Sequence, residues 1–124
     1  FPMGSFWSSL MANLLPRGVG RAIANAKCPK VYVPSTGIDP ELISTSVTDC
    51  IQFLTRALRR DAGEDVPMED LLNAVILDSD SSNYPMLDIE KIRAQGTAVA
   101  QIPMVTGTRR LCPERLAHVL LSLA

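Results

Sequence analysis

Three short, nearly unbroken apolar runs, each followed by a small-polar loop and separated by helical patterns, constrain this chain most. Lys30-Val31-Tyr32-Val33-Pro34 reads as a buried strand bounded by Pro29 and Pro34. Ala74-Val75-Ile76-Leu77 reads as a second, and Ala98-Val99-Ala100-Gln101-Ile102 as a third, introduced by the turn residue Gly96. Strands that alternate apolar and polar residues wet one face, whereas continuous apolar strands are covered on both, as in a parallel sheet between helix layers. The intervening patterns are helical. Ser46 is placed to cap a helix carrying Val47, Cys50, Ile51, Leu54, Ala57 and Leu58 on one stripe, with Gly63 as its stop. Arg56, Arg59 and Arg60 fall in its last turns and read as a solvated helix end that complements the dipole.

Further helices are expected over Met68–Leu72, Ile89–Gln95 and Pro113–Leu123, the last burying Leu116, Val119, Leu120 and Leu123. Before the first strand come helical pieces over Phe6–Leu15 and Val19–Asn25. The order predicts a three-layer α/β/α Rossmann-like parallel sheet. With 124 residues, 47% hydrophobic and 20% charged, the chain fits one globular domain. Three strands make a small sheet, so the chain is expected to be the C-terminal portion of a larger domain, prone to self-association as a homo-oligomer.

Several classes are disfavoured. A formal charge of −1 gives no electrostatic case for nucleic acid or an anionic membrane. No apolar run approaches the roughly 20 residues of a membrane span, and no secretory signal is legible. Cys28, Cys50 and Cys112 are too far apart for a Cys-x-x-Cys site and read as reduced, buried or half-buried thiols of a cytoplasmic protein. His118 is the only histidine, so neither a metal site nor a Cys/His or Ser/His catalytic pair is expected.

Ligands of open parallel sheets bind outside the carboxyl ends of the strands. Here those ends run into Ser35-Thr36-Gly37, Asp78-Ser79-Asp80-Ser81-Ser82-Asn83 and Thr106-Gly107-Thr108-Arg109-Arg110. Gly4-Ser5, before the first helix, is a fourth candidate: glycine admits close backbone approach, and a helix start offers N–H donors to a phosphate. Ser5 as an ordinary cap and the Asp78 loop as a solvated turn are the plainer readings of the same residues.

Pro2-Met3-Gly4-Ser5-Phe6-Trp7-Ser8-Ser9-Leu10-Met11-Ala12-Asn13-Leu14-Leu15 resembles the motif G-P-G-S-L-Y-T-S-x-x-P-N-L-L of the CofD-like family, that of 2-phospho-L-lactate transferase and the bacterial gluconeogenesis factor. Pro29–Val33 is similar to the family strand P-K-V-Y-V, Asp39-Pro40-Glu41 with Ser46 and Asp49 to G-E-T-x-G-x-[ST]-x-x-D-H, and Cys112–Ala117 to H-D-P-x-x-L-A. The loop Ser35–Ser46 looks closest to the eukaryotic branch. Departures are Ser35 for Asn, Leu42 for Thr, Cys50 for His and Leu111-Cys112 for His-Asp, and the family's Gly-Gly-Thr-Gly loop has no counterpart.

The resemblance implies a nucleotide or nucleotide-sugar ligand, and in transferase members a divalent metal such as Mg2+. It implies phosphate or nucleotide contacts at Gly4, Ser5, Ser35 and Thr36, with Asn13, Glu41, Asp49 and Asp78 in support. Binding is the expected function. A phospho-acyl transfer from a guanosine diphosphate donor is the alternative, and a structural or interaction domain without a ligand is the third reading.

Overall fold

The computed structural model describes residues 1–107 and 110–123. Three parallel strands form one sheet in the order β1-β2-β3: β1 over Val31–Tyr32, β2 over Ala74–Asp78 and β3 over Ala98–Ile102. Val31 pairs with Ala74, and β2 pairs with β3 from Ala74↔Ala98 to Asp78↔Ile102. The parallel α/β architecture expected from the apolar runs is therefore present. β1 is shorter than its apolar run, because Pro34 has no N–H to continue a ladder. Phe1 lies beside it instead, its amino group donating to the Val31 carbonyl at 2.7 Å and its carbonyl accepting from Val33 N–H at 3.1 Å.

Residue parity along the strands divides the core in two. Tyr32, Val75 and Leu77 join a larger cluster with Cys50, Ile51, Leu54 and Leu58, together with Leu71, Leu72 and Ile92. Val31, Val33 and Ile76 face the other way, onto Met104 and the half-buried Leu116 and Val119. This is the three-layer arrangement that alternating side-chain direction in a strand produces.

The larger layer is built by α1 (Val19–Asn25), α2 (Val47–Ala62) and α3 (Ile89–Ala94). α2 begins with a capping box: the Ser46 hydroxyl accepts from Asp49 N–H at 3.0 Å, and the Asp49 carboxylate accepts from Ser46 N–H at 3.0 Å. α1 crosses α2 so closely that a Cβ on Gly20 would stand 2.6 Å from the Leu58 carbonyl oxygen. Asp61 on α2 accepts from the N–H groups of Gly18, Gly20 and Arg21, supplying the anion that the start of α1 lacks in its own sequence.

Five expectations are corrected. α4, Pro113–Leu121, buries none of its residues fully; Leu116 and Val119 are half-buried, while Leu120 and Leu123 are 40% and 42% exposed, because the smaller core beneath it offers only four buried side chains. Phe6–Leu15 is not one α-helix but a π-turn over Phe6–Leu10 followed by a 3-10 segment over Met11–Leu14. The residues after Met68 make a single 3-10 turn, Met68–Asp70, and the loop after β3 contains an antiparallel ribbon of β4 (Val105–Thr106) and β5 (Arg110–Leu111). Cys28 is exposed, where a buried or half-buried thiol was expected.

Candidate functional site

A crevice of about 260 Å3 opens at the carboxyl ends of β1 and β2. It joins three segments: Gly4 and Phe6 from the front of the chain, Pro34 to Val47 after β1, and Ser82 to Met86 after β2. Tyr32 and Tyr84 stand in its wall, both buried. Its rim is apolar, with Ile38 90% exposed, Ile43 82% and Met86 66%. Ser44 and Met86, the non-glycine residues with left-handed backbone among the described residues (φ 61° and 55°), both lie on it. Such conformations cost energy and persist where the surroundings fix them, often at ligand sites.

Of the residues expected at the site, Gly4, Ser35 and Thr36 line the crevice together, although they come from two separate stretches. Ser35 is half-buried, its hydroxyl accepting from Gly37 N–H at 3.3 Å, and Thr36 is buried. Ser5 stands at the helix start without a side-chain cap, its carbonyl accepting from Ser9 and Leu10. Asn13 is exposed and donates to the Ser9 carbonyl, away from the crevice. Asp49 is occupied in the α2 capping box. Thr108 and Arg109 of the third polar loop lie outside the described residues, and Thr106 does not line the crevice.

Two carboxylates hold the helix start itself. Asp39 Oδ2 accepts from Phe6 N–H at 2.9 Å, and Glu41 Oε2 accepts from Trp7 and Ser8 N–H at 2.9 and 3.0 Å. The N–H groups expected to meet a phosphate therefore meet the chain's own anions. Ser8, through its side chain and its N–H, holds the Glu41 carboxyl below its ordinary value against the opposing effect of burial, with Trp7 N–H adding to the lowering. Asp39 also caps the turn Pro40–Leu42, Oδ1 accepting from Glu41 N–H at 2.9 Å. An Asp followed by Pro and Glu is a readable helix-start signal, so this turn was accessible from sequence; its grip on Phe6, 33 residues away, was not.

Asp78 ends β2 as a buried clamp. Its Oδ2 accepts from Met104 and Val105 N–H, each at 2.7 Å, and its Oδ1 from Asp80 N–H at 2.9 Å and the Asn83 amide at 3.3 Å. Its own N–H donates to Tyr84 Oη at 2.8 Å. Burial opposes the charge, but the N–H groups of Asp80, Val105 and Met104 with the Asn83 amide outweigh it, and the carboxyl sits below its ordinary value. Through Tyr84 and Asn83 this clamp shapes one wall of the crevice without lining it.

Burial, with the nearby Asp49 and Asp39 charges, pushes the Cys50 thiol up to about 12, and His118 is exposed on α4. The described residues contain no cluster of three or more His, Cys, Asp or Glu that would hold a metal ion. With Asp39 and Glu41 bound to backbone N–H groups, the donor set does not fit the divalent metal implied by the resemblance. No described helix is long and apolar enough to cross a membrane.

These features define the class: an α/β chain with a Rossmann-like parallel sheet and a crevice at its carboxyl edge. No family model and no curated protein matches the chain. A crystal structure of a member of the UPF0052 family from Bacillus halodurans, at 2.60 Å resolution, superposes with a TM-score of 0.66 over 98% of this chain and 41% of that one, at 17% identity. The chain thus shares the fold of that protein and spans about two-fifths of its length.

Proposed function

We propose that the crevice binds a nucleotide or nucleotide sugar. The observation that carries this reading is the convergence of Gly4, Ser35 and Thr36 on one concavity at the carboxyl ends of β1 and β2, where open parallel sheets hold their ligands. Phosphate groups would be addressed by Gly4, Ser35 and Thr36, with Ser5 beside them at the helix start, and a less polar part of the ligand by the rim of Ile38, Ile43 and Met86. A second reading, an α/β domain that binds no small molecule, is favoured by Asp39 and Glu41, whose carboxylates already satisfy the helix start.

Calorimetric titration of guanosine and uridine diphosphate compounds separates the two. Ser35→Leu is the better perturbation, because it fills the crevice from a half-buried position. Gly4, at φ 149°, is strained by any side chain and would confuse folding with binding. Saturable binding by the wild type that weakens about tenfold or more (1.4 kcal/mol) in a folded Ser35→Leu variant is expected. Absence of binding, or equal affinities, favours the second reading.

A further inference from the structure

A separate concavity of about 420 Å3 lies at the opposite end of the sheet, where α2 and α3 finish and the chain turns back toward the strand starts. Gln52, Arg56 and Arg59 enter it from one face of α2 at spacings of four and three residues, joined by Glu64 and by Gln95 from the end of α3. None of these five side chains makes a hydrogen bond or ion pair within the described residues. Arg59 is half-buried, and its Nε–H is withdrawn from solvent with no partner. Buried donors are normally satisfied, so this orphaned N–H shows a guanidinium committed to no acceptor among the described residues and able to turn toward a ligand in the groove.

We propose that this groove binds the phosphate group of a small metabolite, with inorganic phosphate as its minimal ligand. Two guanidiniums and one carboxylate leave a net positive charge, which selects an anion. Phosphate carries more charge and more oxygens than a carboxylate, and so can take Arg56 and Arg59 together with the Gln52 and Gln95 amides. The groove exceeds a bare ion in volume, leaving room for the rest of a phosphorylated molecule. The site is independent of the crevice. It gives the basic end of α2 a role beyond complementing the helix dipole, while Arg60 does not line the groove and stays exposed.

The test is an NMR titration of the labelled chain with inorganic phosphate, a simple phosphomonoester and acetate, against chloride at matched ionic strength. Saturable shifts are expected at the Arg59 Nε–H and at the Gln52 and Gln95 amides. Affinity should fall about tenfold or more in Arg59→Gln, as for loss of a charge-assisted pair, and Arg59→Lys should fail to restore it. Arg56→Gln, at an exposed position, should weaken binding without touching the fold. Tighter binding of the ester assigns a phosphorylated metabolite, and equal binding assigns free phosphate. Shifts confined to Gly4–Ser8, an equal response to chloride or acetate, or undiminished affinity in folded Arg59→Gln would overturn the proposal.

Discussion

Replacing Asp78 with asparagine should cost this domain about 3 kcal/mol. Asp78 is 3% exposed, and its carboxylate accepts four hydrogen bonds, two on each oxygen. Asparagine keeps the shape but offers one acceptor oxygen and one NH2. In the better orientation its oxygen faces Met104 and Val105, which retain a neutral acceptor in place of a charged one, a loss of about 1 kcal/mol per bond. The NH2 then confronts Asp80 N–H and the Asn83 amide, donor against donor, at a cost of about 1 kcal/mol more in that outer turn. For a domain of this length the melting temperature should fall by roughly 10 °C.

The pH dependence identifies the charge as the cause. Folding lowers the Asp78 pKa, so the unfolded chain takes up this proton first as pH falls. The stabilisation is complete above the unfolded value of about 3.9 and is lost as pH drops through the folded value. Urea unfolding of wild type and Asp78→Asn should therefore differ by a constant amount from pH 7 to about pH 5, and the difference should narrow below about pH 4. A gap under about 1 kcal/mol at pH 7, or one that widens in acid, would refute the clamp.

Gly20→Ala should destabilise by about 1–3 kcal/mol, read from denaturant midpoints, because its Cβ would stand 2.6 Å from the Leu58 carbonyl and force α1 off α2; a neutral result would mean that the crossing is looser than described. Ser46→Ala should cost about 1 kcal/mol by removing the acceptor for Asp49 N–H at the start of α2, and unchanged stability would show that the Asp49 half of the box suffices.

The sheet was legible because period and parity are local properties. Val31, Tyr32, Val75, Ile76 and Leu77 announce strands covered on both faces, and each of these side chains is buried. Ser46 with Asp49, and Gly63 sixteen residues beyond the first helical turn's entry, mark α2 in the same local way. What escaped was set by geometry between distant segments. The amphipathic stripe of α4 is genuine in sequence, yet nothing in it says that the layer beneath is only wide enough for Leu116 and Val119. The start of the Phe6–Leu14 segment is held by partners on the 39–41 turn, which composition does not display. At the crevice, small polar residues after a strand pointed to Ser35 and Thr36, which line it, whereas the apolar rim of Ile38, Ile43 and Met86 had no pattern to betray it.

The acidic residues show why site prediction from composition is weaker than fold prediction. A carboxylate near a glycine-rich helix start can be a ligand's partner or the ligand's substitute, and sequence does not distinguish them. Asp61 serves the start of α1, Asp39 and Glu41 the start at Phe6, and Asp78 the turn after β3, each across more than 25 residues of chain. In each case the protein supplies its own anion where backbone N–H groups gather, which is the chemistry by which other proteins bind phosphate. A phosphate arriving at Gly4 and Ser5 meets two negative charges already seated on the next three N–H groups. It must therefore bind beside them, against Ser35 and Thr36, or displace them. Displacement would require the 37–45 segment, which carries both carboxylates and the left-handed Ser44, to move away from the helix start. On the proposed reading, affinity at the crevice would be set as much by how firmly Asp39 and Glu41 are held as by the residues that face the ligand.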